Sequence, residues 1–332
     1  MAEGQQLVLD IARNFSSSYF ESLTLNAPFD GIVSPLSFFI PLSMLSFGAR
    51  GKTRRIFLDA LGLPKNKTHL AAFGYEDFLD NLNEYDVHVK TKIFVPSDVT
   101  LKPNFVNTST EIFNAEIETV NVTNGLMDTG KMNEWIAAQT NNNVTELIKL
   151  EEISRNLSIV LANTVYFRGT WQQKFLSSET GPRPFHPVNG QPFPVLTMVA
   201  EGRFRQGRID EFNCSFLEIP YKSSSANNAM SMFVLLPDKG QYLEWSLLVQ
   251  FFAPAVTRED QTKKYPKTAD FSGIFESSGK LNINGESLMK IVIEIDEEGQ
   301  RTAESSGQLK HKLLADFRKL LRKIIRLLVI EF

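Results

Sequence analysis

Ile32-Val33-Ser34-Pro35-Leu36-Ser37-Phe38-Phe39-Ile40-Pro41-Leu42-Ser43-Met44-Leu45-Ser46-Phe47-Gly48-Ala49-Arg50-Gly51-Lys52-Thr53 is the stretch from which the fold is read. Ser34 is a helix-capping residue type, and Pro35 behind it suits the first helical position because its φ is fixed and its missing N–H would be unpaired there anyway. Phe38, Phe39, Ile40, Leu42, Met44 and Leu45 leave this helix apolar nearly all round, which predicts a core helix. Gly48 ends it, and Gly51 turns the chain into the next helix. The final six residues also resemble the end of a phosphate-binding loop. That reading fails twice: Ser46 stands where the first glycine is needed, and the segment upstream reads as helix where a strand is required.

Outward from this core the period of the apolar residues assigns the rest. Val8, Ile11, Ala12, Phe15, Tyr19, Phe20 and Leu23 recur at helical spacing before Pro28. Val87-His88-Val89-Lys90-Thr91-Lys92-Ile93-Phe94-Val95 alternates as a strand does, and Pro96 ends it. Residues 105–113 and 131–148 are helical by spacing. Leu161-Ala162-Asn163-Thr164-Val165-Tyr166-Phe167 is a buried strand run, and residues 216–221 and 230–236 predict two more strands. Helices lead and strands follow without regular alternation, so the fold class is α+β, helices packed around mixed and antiparallel sheets. No internal repeat appears, and the best candidate for a linker is the polar stretch 257–268, so one domain is expected.

Composition narrows the function. Of 332 residues 42% are hydrophobic, enough for a large core, and a net charge of −3 argues against a nucleic-acid partner. Cys214 is the only cysteine, so intramolecular disulfides are impossible, and His69, His88, His186 and His311 stand far apart. That leaves no zinc spacing, and neither metal nor other cofactor is expected. The Gly-x-Ser-x-Gly elbow is absent and no histidine is placed to act as a base. Glu297 and Glu298 are neighbours on a strand, pointing to opposite faces, which does not suit an acid/base pair. An enzyme is not expected. The first twenty residues lack the basic start and apolar stretch of a secretory signal. Against this stand seven Asn-x-Ser/Thr sequons, at Asn14, Asn66, Asn107, Asn121, Asn143, Asn156 and Asn213, where chance would supply about three. Localisation is therefore expected to be extracellular or cytoplasmic.

Several of these segments, in order, carry a family resemblance. Ile32-Val33-Ser34-Pro35-Leu36-Ser37, Gly48-Ala49-Arg50-Gly51-Lys52-Thr53, Leu101-Lys102-Pro103-Asn104-Phe105, Asn133-Glu134-Trp135, Asn163-Thr164-Val165-Tyr166-Phe167-Arg168-Gly169-Thr170-Trp171, Leu217-Glu218-Ile219-Pro220-Tyr221, Ala269-Asp270-Phe271-Ser272-Gly273-Ile274 and residues 290–299 resemble those of the serpins, the serine protease inhibitor superfamily. The resemblance implies a monomer with an exposed reactive-centre loop that a trypsin-like or chymotrypsin-like serine protease attacks as a suicide substrate. The cut loop then inserts into the central sheet. It places Ser34, Ser37 and Asn163 where that sheet parts and Trp171 near the point where the loop first enters. It makes Glu297, Glu298, Gly299, Gln300, Arg301, Thr302, Ala303, Glu304, Ser305 and Ser306 the loop hinge, and sets the scissile bond among Lys310, Lys312, Leu313 and Leu314.

The chain also departs from the family pattern. The hinge is normally a run of small residues. By family register Gln300, Thr302, Glu304 and Ser306 would face inward, and an unpaired ionised Glu304 there costs several kcal/mol. Insertion is therefore expected to be slow or to fail unless Glu304 finds a cation or a proton. A family histidine is replaced by Met289, and the chain is shortened around 238–268. The serpin-like domain is thus 1–307. Residues 308–332 form an atypical segment, with a basic amphipathic pattern of Leu313, Leu314, Phe317, Leu320, Leu321, Ile324, Ile325 and Leu328 among Arg318, Lys319, Arg322, Lys323 and Arg326. From Lys310 onward seven basic residues stand against two acidic ones, so the tail holds +5 and the remainder −8. Three uses are open to residues 310–328: packing on sheet left uncovered by missing strands, contact with an anionic membrane or protein partner, or part of the bait. A non-inhibitory scaffold that works through this tail is the alternative to an inhibitor.

Overall fold

The computed structural model describes residues 3–24, 34–123, 126–148, 159–187, 190–223, 230–238, 270–276 and 288–307. Helix α1 (Glu3–Thr24) buries Val8, Ile11 and Phe15. Helix α2 (Pro35–Gly48) has the predicted bounds and runs through Pro41. Gly51 opens α3 (Gly51–Leu61) at a φ of 53°, a left-handed conformation that favours glycine. Helix α4 (Thr68–Glu84) follows, then strand β1 (Val87–Pro96), ended by its proline as expected. Ser34 occupies the cap position of α2, but its side chain makes no bond to the helix backbone and instead accepts from Ser37 Oγ at 3.1 Å.

The segment after β1 forms α5 (Pro103–Asn107) and one wide π turn, Thr108–Ile112. Strand β2 (Glu116–Val120) and the short β3 (Val122–Thr123) and β4 (Leu126–Met127) lead to α6 (Thr129–Gln139). Helical spacing predicted this last helix out to residue 148, and the structure stops it at Gln139. Thr140 is buried, its Oγ1 donates to the Ile136 carbonyl at 2.8 Å, and Asn141 and Asn142 adopt positive φ of 50° and 60°. Asparagine tolerates that conformation, which a helix cannot contain. Val144, Leu147 and Ile148 are buried all the same. Asn133 holds the strap, its Oδ1 accepting from the N–H groups of Leu147 and Ile148 at 3.0 and 2.9 Å and its Nδ2 donating to the Ile148 carbonyl at 2.7 Å.

The remaining strands are β5 (Val160–Thr170), β6 (Gly181–Phe185), β7 (Phe193–Thr197), β8 (Arg205–Ile209), β9 (Cys214–Pro220), β10 (Ser231–Pro237), β11 (Leu288–Ile295) and β12 (Gly299–Gly307). They build a five-stranded sheet in the order β11-β12-β5-β1-β2, parallel only between β1 and β2, a three-stranded antiparallel sheet β10-β9-β8, and the hairpins β3-β4 and β6-β7. The class is α+β, as the sequence predicts.

Alternate residues of the large sheet serve two cores. Ile93, Val95 and Leu161 join the cluster around α1, α2, α3 and α4, while Phe94, Val160 and Ala162 pack with Met132, Trp135 and Ile136 of α6. Trp171, Phe175, Leu217, Ile219 and Tyr221 form a third cluster where the large sheet meets the small one.

Candidate functional site

The middle of the large sheet holds a buried polar cluster. Thr91 of β1 and Asn163 of β5 are register partners, 2% and 0% exposed. Thr91 Oγ1 donates to Asn163 Oδ1 at 2.8 Å, and Asn163 Nδ2 donates to the Ser37 carbonyl of α2 at 3.3 Å. One amide side chain thus ties the central strands to the helix above them. Ser37 joins Ser34 through the bond already described, and further along α2 the buried Tyr75 hydroxyl donates to Ser43 Oγ at 2.9 Å. Burial raises the Tyr75 pKa well above the ordinary phenol range. Of the residues expected where the sheet parts, the structure brings Ser34, Ser37 and Asn163 together. Thr91 belongs with them and was missed, because a threonine in an alternating strand carries no signal of its cross-strand partner.

About 26 Å further along β5, at roughly 3.3 Å per residue, lies the second group. Trp171 is 1% exposed, its ring stacks on Tyr221 at 4.8 Å and 11°, and its Nε1 donates to the Asp296 carbonyl at 2.9 Å. The chain beyond β5 stays paired to the turn between β11 and β12, since Trp171 N donates to the Glu298 carbonyl at 2.9 Å and Phe175 N to the Glu297 carbonyl at 3.0 Å. Asp296 organises that turn, its Oδ1 accepting from Glu298 N at 2.9 Å and Gly299 N at 3.0 Å. Lys174 pairs with the Glu298 carboxylate at the surface, and the Tyr221 hydroxyl donates to Gln300 Oε1. Burial holds the Tyr221 pKa far above its usual value, so it acts as a neutral donor. A Cβ on Gly299 would collide with the carbonyl oxygen of Gly169, so only glycine lets the strand begin here.

Between these two groups β12 lies as a central strand, paired on one edge with β5 and on the other with β11. Residues 299–307, expected as the hinge of a reactive-centre loop, are thus paired as a strand along their length. The physical reason is that both edges of the segment find backbone partners along their length, from Gly299 opposite Thr170 to Gly307 opposite Ala162, whereas the carboxylate cost falls on one position. Gln300, Thr302, Glu304 and Ser306 stand opposite Gly169, Phe167, Val165 and Asn163, the row of β5 that faces α2 at Asn163. Glu304 has Ile291 as its other neighbour, and Ser306 has Met289. The scissile candidates Lys310, Lys312, Leu313 and Leu314, the shortened stretch 238–268 and the basic tail lie outside the described residues. Among the described residues there is no cluster that could hold a metal ion and no helix long and apolar enough to cross a membrane. The Cys214 thiol is buried, and burial raises its pKa, so it is not primed as a nucleophile.

A five-stranded mixed sheet with α1–α4 on one face and α6 on the other, joined to a second antiparallel sheet through the Trp171 cluster, defines the class of fold. The comparisons name it. The family model for serpins, serine protease inhibitors, matches residues 10–267, and the chain belongs to that family. Antichymotrypsin-2 of Bombyx mori is 25% identical over 325 residues, covering 89% of this chain and 86% of its own. Among solved structures, cleaved Serpin 42Da superposes with a TM-score of 0.69 at 21% identity, over 91% of this chain and 89% of that one. Ovalbumin from emu, Dromaius novaehollandiae, gives 0.75 at 21% identity, over 91% and 89%. The family is described as one of serine protease inhibitors, and its fold is shared by non-inhibitory members such as ovalbumin.

Proposed function

We propose that this serpin inhibits a serine protease as a suicide substrate. The observation that carries the reading is β12: residues 299–307 stand as a central strand between β5 and β11, the place that a cut loop would take, and we read this arrangement as the end state of insertion. In the reaction the protease serine Oγ attacks the scissile carbonyl, the peptide C–N bond breaks, the leaving amine takes the serine proton through the protease histidine, and an ester joins the two proteins. Insertion of the hinge then competes with attack by water on that ester. A nine-residue strand at roughly 3.3 Å per residue draws the ester about 30 Å along the sheet, far enough to pull the protease catalytic groups out of register. Tyr221, Trp171 and Gly299 guide the first residues in, and Asn163 with Ser37 receives the last. The name of the silkworm relative, Antichymotrypsin-2, supports a chymotrypsin-like target, and Lys310 or Lys312 a trypsin-like one.

The test is incubation of the full chain with a trypsin-like, a chymotrypsin-like and an elastase-like protease, followed by denaturing gels. A covalent complex that survives denaturation is expected with the first or second. Clean cleavage between Lys310 and Leu314 without a complex would defeat the trap and favour a second reading, a non-inhibitory scaffold contacting a membrane or partner through residues 310–328. Glu304 at an inward register position is what favours that second reading. For localisation we propose the extracellular space, because the sequon residues Asn66, Asn107, Asn121 and Asn213 are exposed as glycan acceptors must be. A mobility shift on glycosidase treatment of the protein from its native source is the expected result, and its absence would favour the cytoplasm.

A further inference from the structure

The junction of α2 and α3 and the loop after α3 enclose a cavity of about 340 Å³ lined by Arg50, Gly51, Arg54, Arg55, Leu58 and Lys65. The size falls in the usual range for small-molecule sites, about 300–1,000 Å³. Of the six described residues that line it, four are cations. No carboxylate of the described residues lies within ion-pair distance of Arg54, Arg55 or Lys65. Arg50 is fixed in place, its Nη1 donating to the Phe47 and Ala49 carbonyls at 2.8 Å each. The nearest acid is Asp270, whose Oδ2 lies 3.7 Å from the position of a Cβ on Gly51. Its pKa is lowered by hydrogen bonds from Ser272 and by Arg50, so it stays ionised and offsets one positive charge of the four. Arg54 is only weakly held, its Nη2 donating to Thr68 Oγ1 at 3.4 Å; its Nε is sealed from the cavity, so the terminal guanidinium N–H groups are the ones an anion would meet.

We infer that this cavity binds a compact phosphate-bearing small molecule, with two neighbouring phosphates as the best match. Guanidinium forks suit tetrahedral oxyanions, and three cations without carboxylate partners match more charge than one carboxylate brings. The cavity opens at the first turn of α3, where the helix dipole also favours negative charge. This site is not the phosphate-loop reading rejected above, since α2 stands where that motif needs a strand. It lies on the α1–α4 side of the molecule and takes no part in loop insertion.

The experiment is calorimetric titration of the full chain with inorganic pyrophosphate at low ionic strength, with orthophosphate and a sulfated disaccharide in parallel. Saturable one-to-one binding of pyrophosphate is expected, tighter than orthophosphate and weakening as salt is added. Arg55→Gln, at an exposed residue without hydrogen-bond partners among the described residues, is expected to weaken binding about tenfold with no change in the urea midpoint of the free protein. Arg54→Gln is expected to weaken it at least as much. Absence of saturable binding, affinity unchanged in both variants, or tighter binding of the sulfated disaccharide than of pyrophosphate would each overturn the assignment.

Discussion

Removing the amide at position 163 tests whether the buried polar cluster locks the sheet. Asn163→Ala leaves the Thr91 hydroxyl without its acceptor and the Ser37 carbonyl without the Asn163 donor, both in a region with no water access. Loss of the acceptor for the buried Thr91 hydroxyl costs about 1–3 kcal/mol and the missing amide leaves a small cavity, so a loss of about 2–4 kcal/mol is expected, whereas an exposed asparagine would cost almost nothing. Thr91→Val keeps the shape of the side chain and removes only its hydrogen bond to Asn163 Oδ1, for about 1–2 kcal/mol. The two single changes each destroy the same hydrogen bond, so the double variant should lose about 1 kcal/mol less than their sum. The assay is equilibrium urea unfolding of the four proteins, followed by circular dichroism and by tryptophan fluorescence, with coincident transitions required before free energies are compared. Additivity within about 0.4 kcal/mol would refute the argument, because it would mean that Thr91 and Asn163 do not act on one another in the folded protein.

Gly299→Ala sets a Cβ against the Gly169 carbonyl oxygen and should cost about 1–3 kcal/mol, read as a lower urea midpoint and less covalent complex. Glu304→Ala takes a carboxylate off the inward row of β12 and should raise the fraction of covalent complex over plain cleavage severalfold. An unchanged ratio would mean that the carboxylate was already neutralised. Alkaline pH should destabilise the fold through its buried phenols. The Tyr19 pKa is pushed up to about 12 by burial, and those of Tyr75 and Tyr221 rise further. Their folded values lie above the unfolded value of about 10, so the contribution is complete below pH 10 and is lost as pH rises through the folded values. Unfolding free energies from urea titrations at pH 9 and upward should fall above pH 10 by up to about 4 kcal/mol per pH unit, and less steeply in Tyr221→Phe. A flat profile to pH 11 would place these phenols in solvent.

Local chemistry made much of this fold readable. Ser34-Pro35, Gly48 and Gly51 bound α2 and α3, and the alternation of 87–95 with Pro96 bounds β1, because each signal is fixed by one or two neighbouring residues. The end of α6 was not readable, since Val144, Leu147 and Ile148 keep helical spacing while reaching the core from a non-helical strap. The prolines at 182, 184 and 194 hide the β6-β7 hairpin, in which they are tolerated because among the described residues the two strands pair only with each other. The inward row of the hinge came from the family resemblance, since strand period alone gives two alternating rows without saying which faces in. That the strand lies in the sheet was not readable, because this depends on the space between β5 and β11, which no local pattern encodes. Tyr221 read as the end of a strand, and only the stack on Trp171 and the bond to Gln300 give it a part in the site.

The turn that joins β11 to β12 has Asp296, Glu297 and Glu298 as its three intervening residues. A strand so tethered is presented to its slot at the effective concentration of an intramolecular partner, in the millimolar range for short connections. Its register is fixed by the turn before the first new pair forms. A free peptide of sequence 299–307 has neither advantage, and would have to be supplied at comparable concentration to occupy the same place. The chain therefore carries its own strongest competitor against any outside strand, including the hinge of a second copy, and the tightness of one turn guards against polymerisation.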